Sequence, residues 1–281
     1  MSPLAASFMR CRTPAEFYQL AITFDCTATP SEFAELWNER NILPPEAQAW
    51  LASGWESMFA EPTKLQQYHR KQINEYIRAY IGAHSERSDK DLVIAFSGKR
   101  GRLFLPLAVW LQYMSDSAVD LVLLQDPLLR FFSGGIPGYG ANLAEVLARL
   151  GADMNLQGYR RILCLGGSAG GFAALRAGLI AKAANAVCLS GRMPNDGTSA
   201  GDTFAVGLDE LKGLKKADTA GTRMFCAFGA QYPADRAAAK AFAKAGKALL
   251  VPVEGVADHN VAFGLLKQKK LRGFLSETLF A

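Results

Sequence analysis

Histidine is scarce in this sequence. Among 281 residues there are three, His69, His84 and His259, so a general base of that type has few candidate positions. Cysteine is also sparingly used. The five (Cys11, Cys26, Cys164, Cys188, Cys226) are an odd number without a C-x-x-C pair, which argues against a disulfide framework or a zinc site. Cys164, Cys188 and Cys226 each lie inside an apolar run, where a thiol acts as a small hydrophobe. No apolar run approaches the ~18 residues of a membrane helix. The first twelve residues carry Arg10 and Arg12 after their short apolar stretch, the reverse of the order in a secretory signal. Neither sign of charge dominates: Lys and Arg number 31 against 26 Asp and Glu, for a net charge of +5. Without a basic, aromatic-studded stripe, that excess makes no case for a nucleic-acid partner. These absences imply a soluble, cytoplasmic protein with no membrane span.

What is present is core material. Half of the residues are hydrophobic and 20% are charged, which excludes a disordered chain. From Asp91 onward, apolar strand-like runs (91–96, 118–124, 161–165, 186–189, 223–228, 248–253) alternate with helical patterns (103–114, 142–150, 169–184, 234–245, 260–280). Such alternation predicts an α/β fold with a mostly parallel central sheet covered by helices on both faces.

The first 90 residues read differently, as a mainly helical extension packed on a 91–281 domain. Thr13-Pro14-Ala15-Glu16 and Thr29-Pro30-Ser31-Glu32 each combine an N-cap Thr, Pro at the first helical position and Glu three residues after the cap. Residues 17–26 can also be read as a strand, in conflict with the first cap. The runs 45–59 and 64–81 have helical spacing. Trp37, Trp50 and Trp55 are expected to serve packing.

The sharpest motif is Leu163-Cys164-Leu165-Gly166-Gly167-Ser168-Ala169-Gly170-Gly171, a G-x-S-x-G between an apolar strand and a helix-forming run. A strand-to-helix turn this tight strains the backbone at the serine and needs little bulk two residues to either side. Gly166 and Gly170 fill those places. The turn would present Ser168 at the carboxyl edge of the sheet and at a helix amino terminus, where the dipole favours developing negative charge. A dinucleotide cradle requires G-x-G-x-x-G, a spacing that is absent here.

Serine needs a base to act as a nucleophile. His259 follows the last strand by a short loop on the same expected edge, whereas His69 and His84 fall in the N-terminal region. The third partner should be a carboxylate that orients the imidazole. Asp235, just after the 223–228 strand, is the first choice, although it could instead cap the following helix. Asp202 and Asp196 are the alternatives. Asp258 adjoins His259 and is poorly placed to reach round to its ring.

The order Ser168, Asp235, His259, with its strand–turn–helix nucleophile, resembles the α/β-hydrolase superfamily over residues 91–281. One departure is Tyr232, which stands where many members carry the acid. Within the superfamily, Asp126-Pro127, Gly134-Gly135-Ile136-Pro137-Gly138 and Gly167-Ser168-Ala169-Gly170-Gly171 are together similar to bacterial hydrolases linked to surface-glycan or capsule functions. The resemblance implies an oxyanion hole built from the N–H of Ala169 and an N–H in the loop after an early central strand. In that loop Lys99 is the expected donor, with Gly98 as runner-up. It also implies a serine hydrolase that opens an ester or acyl bond through an acyl-enzyme and needs no metal or organic cofactor. The substrate would be a small-molecule or glycan acyl ester. Cations at the same edge, Lys99, Arg100, Arg102 and Arg130, would suit an anionic one. The alternatives are acyl transfer by the same residues, or a non-catalytic binding or accessory protein on this fold.

Overall fold

The computed structural model describes residues 1–83, 86–99, 101–192 and 201–281, excluding the side chains of 201–206. Four helices open the chain: α1 (Pro3–Arg10), α2 (Pro14–Asp25), α3 (Pro30–Asn38) and α4 (Pro45–Met58). Both Thr-Pro-x-Glu segments form complete capping boxes. Glu16 N–H donates to Thr13 Oγ1 and Glu32 N–H to Thr29 Oγ1, both at 3.2 Å, while each Glu carboxylate accepts from its own cap's N–H. The strand reading of 17–26 is thereby excluded.

The helical reading of 64–81 is corrected. That stretch holds β1 (Tyr68–Asn74) and β2 (Ile77–Gly82), an antiparallel hairpin. Apolar residues at Ile73, Tyr76, Ile77, Tyr80 and Ile81 recur every three to four positions and mimic a helix period. Pairing decides otherwise, because β2 adds antiparallel to the edge of the main sheet.

The chain continues through β3 (Asp91–Phe96), α5 (Leu107–Tyr113), β4 (Val119–Leu124), α6 (Leu143–Met154), β5 (Arg161–Gly167), α7 (Ala169–Ile180), β6 (Asn185–Leu189), α8 (Gly201–Ala217), β7 (Arg223–Gly229), α9 (Pro233–Gly246), β8 (Leu249–Val253), α10 (Val261–Lys267) and α11 (Leu271–Glu277). The eight strands form one sheet in the order β1-β2-β4-β3-β5-β6-β7-β8, parallel from β4 to β8.

Two expected helices end differently. α5 begins at Leu107 rather than near 103, because Pro106 disfavours helical backbone in the residue before it. The single helix expected over 260–280 is two. Lys269 adopts the left-handed conformation (φ 54°), while Lys270 N–H donates to Leu265 O and Lys269 N–H to Leu266 O. This Schellman stop is made without glycine, the residue that usually signals it.

Because side chains alternate across a strand, the sheet feeds two cores. Val93 and Ala95 join the core under α1–α5, α10 and α11, whereas Leu92, Ile94 and Phe96 join the one under α6–α9. The N-terminal helices therefore share a core with α5 and the last two helices. β8 is the far edge strand. Val253 O accepts from Ala230 N–H, so Pro252, one residue back, turns its missing N–H outward, the tolerated place for proline in a sheet.

Candidate active site

At the carboxyl end of β5 the chain turns sharply into α7, and Ser168 sits on the turn at φ 54°, ψ −119°. The turn is crowded. A Cβ at Gly166 would collide with Gly170 O, and one at Gly170 with Phe96 O, so glycine is required at both positions of the motif. Ser168 occupies the N-cap of α7, yet its hydroxyl does not cap the helix. It instead lies 2.9 Å from His259 Nε2. His259 Nδ1 is 2.9 Å from both carboxylate oxygens of Asp235. The expected serine, histidine and acid thus form one continuous hydrogen-bonded chain.

Asp235 is 2% exposed and stands in the first turn of α9. The N-cap of that helix is Tyr232, so Asp235 is directed to the imidazole rather than to helix capping. Tyr232, the residue found where the resemblance places the acid, has its ring 6.2 Å from that of His259. Asp258 Oδ1 accepts the N–H of Asn260, a local turn. Asp196 lies outside the described residues, as does the side chain of Asp202. His69 is exposed on β1, and His84 is outside the described residues.

The connection after β3 comes close to Ser168, since a Cβ at Gly98 would lie 3.4 Å from Ser168 Cβ. The Gly98 N–H already donates to Arg102 O at 2.9 Å, which removes the runner-up as an oxyanion donor. The N–H groups of Ala169 and Lys99 have no partner among the described residues. A cleft of about 420 Å³ opens over the serine, lined by Gly98, Lys99, Arg102, Phe104, Ser168, Arg192, His259 and Asn260. Arg130 is exposed and is not among these lining residues, and Arg100 lies outside the described residues.

Sequence reasoning missed three of the walls, Phe104, Arg192 and Asn260. Phe104 adopts φ 71° and sets its ring edge-on to the imidazole, with centroids 5.2 Å apart. Nothing in its local sequence announces this. Arg192 follows β6 at the same sheet edge, and its N–H donates to Ser168 O at 3.1 Å; its position after the strand next to the elbow was a usable signal.

Topology and turn geometry define a class: the chain has the α/β-hydrolase fold. Among solved structures it is similar to Est1E from Butyrivibrio proteoclasticus, at 16% identity and a TM-score of 0.50, over 75% of this chain and 98% of that one. It is also similar to brefeldin A esterase, a bacterial homologue of human hormone sensitive lipase, at 14% identity and a TM-score of 0.52, over 80% of each chain. No protein-family model matches the sequence, and no curated protein does. Among the described residues, no helix is long and apolar enough to cross a membrane.

Proposed function

We propose that the protein is a serine hydrolase that cleaves an ester or acyl bond, with Ser168 as nucleophile, His259 as base and Asp235 as its orienting acid. The observation that carries this reading is the unbroken chain of 2.9 Å contacts from Ser168 Oγ through His259 to Asp235. With Nδ1–H donating to Asp235, Nε2 is left to accept the serine proton as Oγ attacks the carbonyl carbon. The negative charge gathered on the carbonyl oxygen would be met by the N–H groups of Ala169 and Lys99, aided by the amino end of α7. Collapse breaks the bond to the leaving alcohol, which takes the proton from Nε2. Water, deprotonated by His259, then opens the acyl-enzyme and restores the serine.

The substrate class we favour is a small-molecule or glycan acyl ester bearing negative charge. Lys99, Arg102 and Arg192 line the cleft, and no carboxylate is among its described lining residues. The five cysteines form no disulfide, which suits a reducing compartment such as the cytoplasm.

The test is reaction with a fluorophosphonate probe and turnover of p-nitrophenyl acetate. Both are expected in the wild type and lost in Ser168→Ala, by about 10⁴-fold or more in kcat. Labelling retained in Ser168→Ala would overturn the assignment. For the charge of the substrate, Lys99→Gln keeps the backbone N–H and should raise KM about two- to fivefold for an ester carrying a free carboxylate. An equal rise for a neutral ester would discard the anionic preference.

A further inference from the structure

The helical N-terminal region meets the active-site loop at an ion pair whose carboxylate is buried. We propose that Asp25, the last residue of α2, is a positioning residue for the hydrolysis above: by gripping Arg102 it holds the turn that aims the Lys99 N–H at the reacting carbonyl. This inference rests on that reading of Ser168 and extends it to a part of the chain remote in sequence.

The geometry runs in a closed path. Arg102 Nη1 donates to Asp25 Oδ2 at 3.0 Å, with the Asp25 side chain 8% exposed. The backbone O of Arg102 accepts the Gly98 N–H at 2.9 Å, and Gly98 O accepts the Gly101 N–H at 2.9 Å. In a trans peptide the C=O and the following N–H point in opposite directions. Turning Gly98 O toward Gly101 therefore turns the Lys99 N–H away from the loop's own bonds. A second tie steadies the same turn: Gln125 Nε2 donates to Gly101 O at 3.2 Å, and Arg78 of β2 holds Gln125 Oε1 at 2.9 Å. Gly101 has φ 73°, the left-handed backbone that this tight reversal requires.

The electrostatics suggest that Asp25 is kept for its charge rather than for stability. Burial raises its pKa to about 6, and the Arg102 guanidinium and the Trp50 indole N–H from α4 only partly oppose that rise. The neighbouring Cys26 thiol is pushed up to about 11, mainly by burial, so it stays neutral across this range. Arg78 acts on that thiol at longer range. A carboxyl group whose pKa is raised on folding keeps its proton in the folded state where the unfolded chain has already lost it. Its contribution to stability therefore declines as pH rises from the usual carboxylate range to about 6, and it is at its least favourable above that. A group serving only the fold would be better replaced by a neutral one.

The experiment compares wild type, Asp25→Asn and, from the loop side, Arg102→Gln. At pH 7.5 both variants should lose about 10- to 100-fold in kcat on p-nitrophenyl acetate with KM within about twofold, short of deleting an oxyanion donor. The urea midpoint of Asp25→Asn should stay level or rise. Below pH 6 the wild-type kcat should fall more steeply than that of Asp25→Asn, because Asp25 loses its charge there and with it the grip on Arg102. Wild-type kcat in both variants, or a fall in kcat matched by a fall in the urea midpoint, would overturn the proposal. Amide hydrogen exchange over residues 97–106 gives a readout that needs no catalysis. It should quicken in Asp25→Asn, and unchanged exchange also overturns the proposal. Should the wild type prove inert to esters and phosphonates, the hydrolase reading falls and the exchange comparison still decides whether Asp25 holds this loop.

Discussion

The two ends of the parallel sheet are built on opposite principles. At the amino end, charges are buried and matched. Asp120 accepts from Lys90 Nζ at 3.1 Å, the Gly82 N–H at 2.9 Å and the Tyr159 hydroxyl at 2.9 Å. Asp91 takes bonds from Arg160 and Arg161. Burial alone would raise the pKa of Asp91, but those two arginines more than offset it and leave the group below the usual carboxylate range. Its ion pairs therefore stabilise the fold at neutral pH and fail only as strong acid protonates it. Asp25, beside the cleft at the carboxyl end, is shifted the other way. Backbone strain divides likewise. Phe104, Leu129, Phe131, Phe132, Ser168 and Ser190, all in connections leaving the carboxyl ends of strands, hold positive φ. Elsewhere Asn155, Lys182, Lys247 and Lys269 do so where helices stop, which is ordinary capping. Matched charge gathers at one end, and the other retains strain, with N–H donors that have no partner among the described residues, where the proposed chemistry needs them.

Substitutions at the two ends should therefore be read by different instruments. The largest effect is expected from Asp235→Asn at the carboxyl end, a loss of about 10⁴-fold in kcat because the wrong imidazole tautomer is favoured. Its urea midpoint should move little, and activity within tenfold of wild type would remove Asp235 from the proposed triad. Next comes Asp120→Asn at the amino end, which strands the Lys90 ammonium in the interior. Urea unfolding should register a loss of about 3–5 kcal/mol, while kcat per folded molecule stays at the wild-type value. A fall in kcat there would break the division between the ends. The smallest effect is expected from Arg160→Ala. That arginine is half exposed and Arg161 remains on Asp91, so the loss should not exceed about 1 kcal/mol.

The carboxyl end was the more legible of the two in the sequence, because its constraints are local. A tight turn needs its glycines at fixed offsets around Ser168, and a loop histidine after the last strand needs no long-range knowledge. The parallel character of the sheet, though not the order of its strands, followed from apolar runs buried on both faces. The hairpin of β1 and β2 was misread because Tyr68–Asn74 is an edge strand with a largely polar, exposed run, and its apolar neighbours fall at helical intervals. The break between α10 and α11 was hidden because lysine, rather than glycine, takes the left-handed position. Asp25 was overlooked for a different reason. Its partner lies 77 residues away, and only the sheet brings α2 over the connection after β3.

The outer edge of β8 carries a consequence for the protein at high concentration. Leu249 is 56% exposed and Leu250 42% exposed, the composition from which amyloid-like seeds grow when an open strand recruits a neighbour. An arriving strand would look for an amide donor at position 252 and find a pyrrolidine ring. The one proline in this strand thus removes an outward donor that a second strand would need to pair along it, a device that blunts an edge.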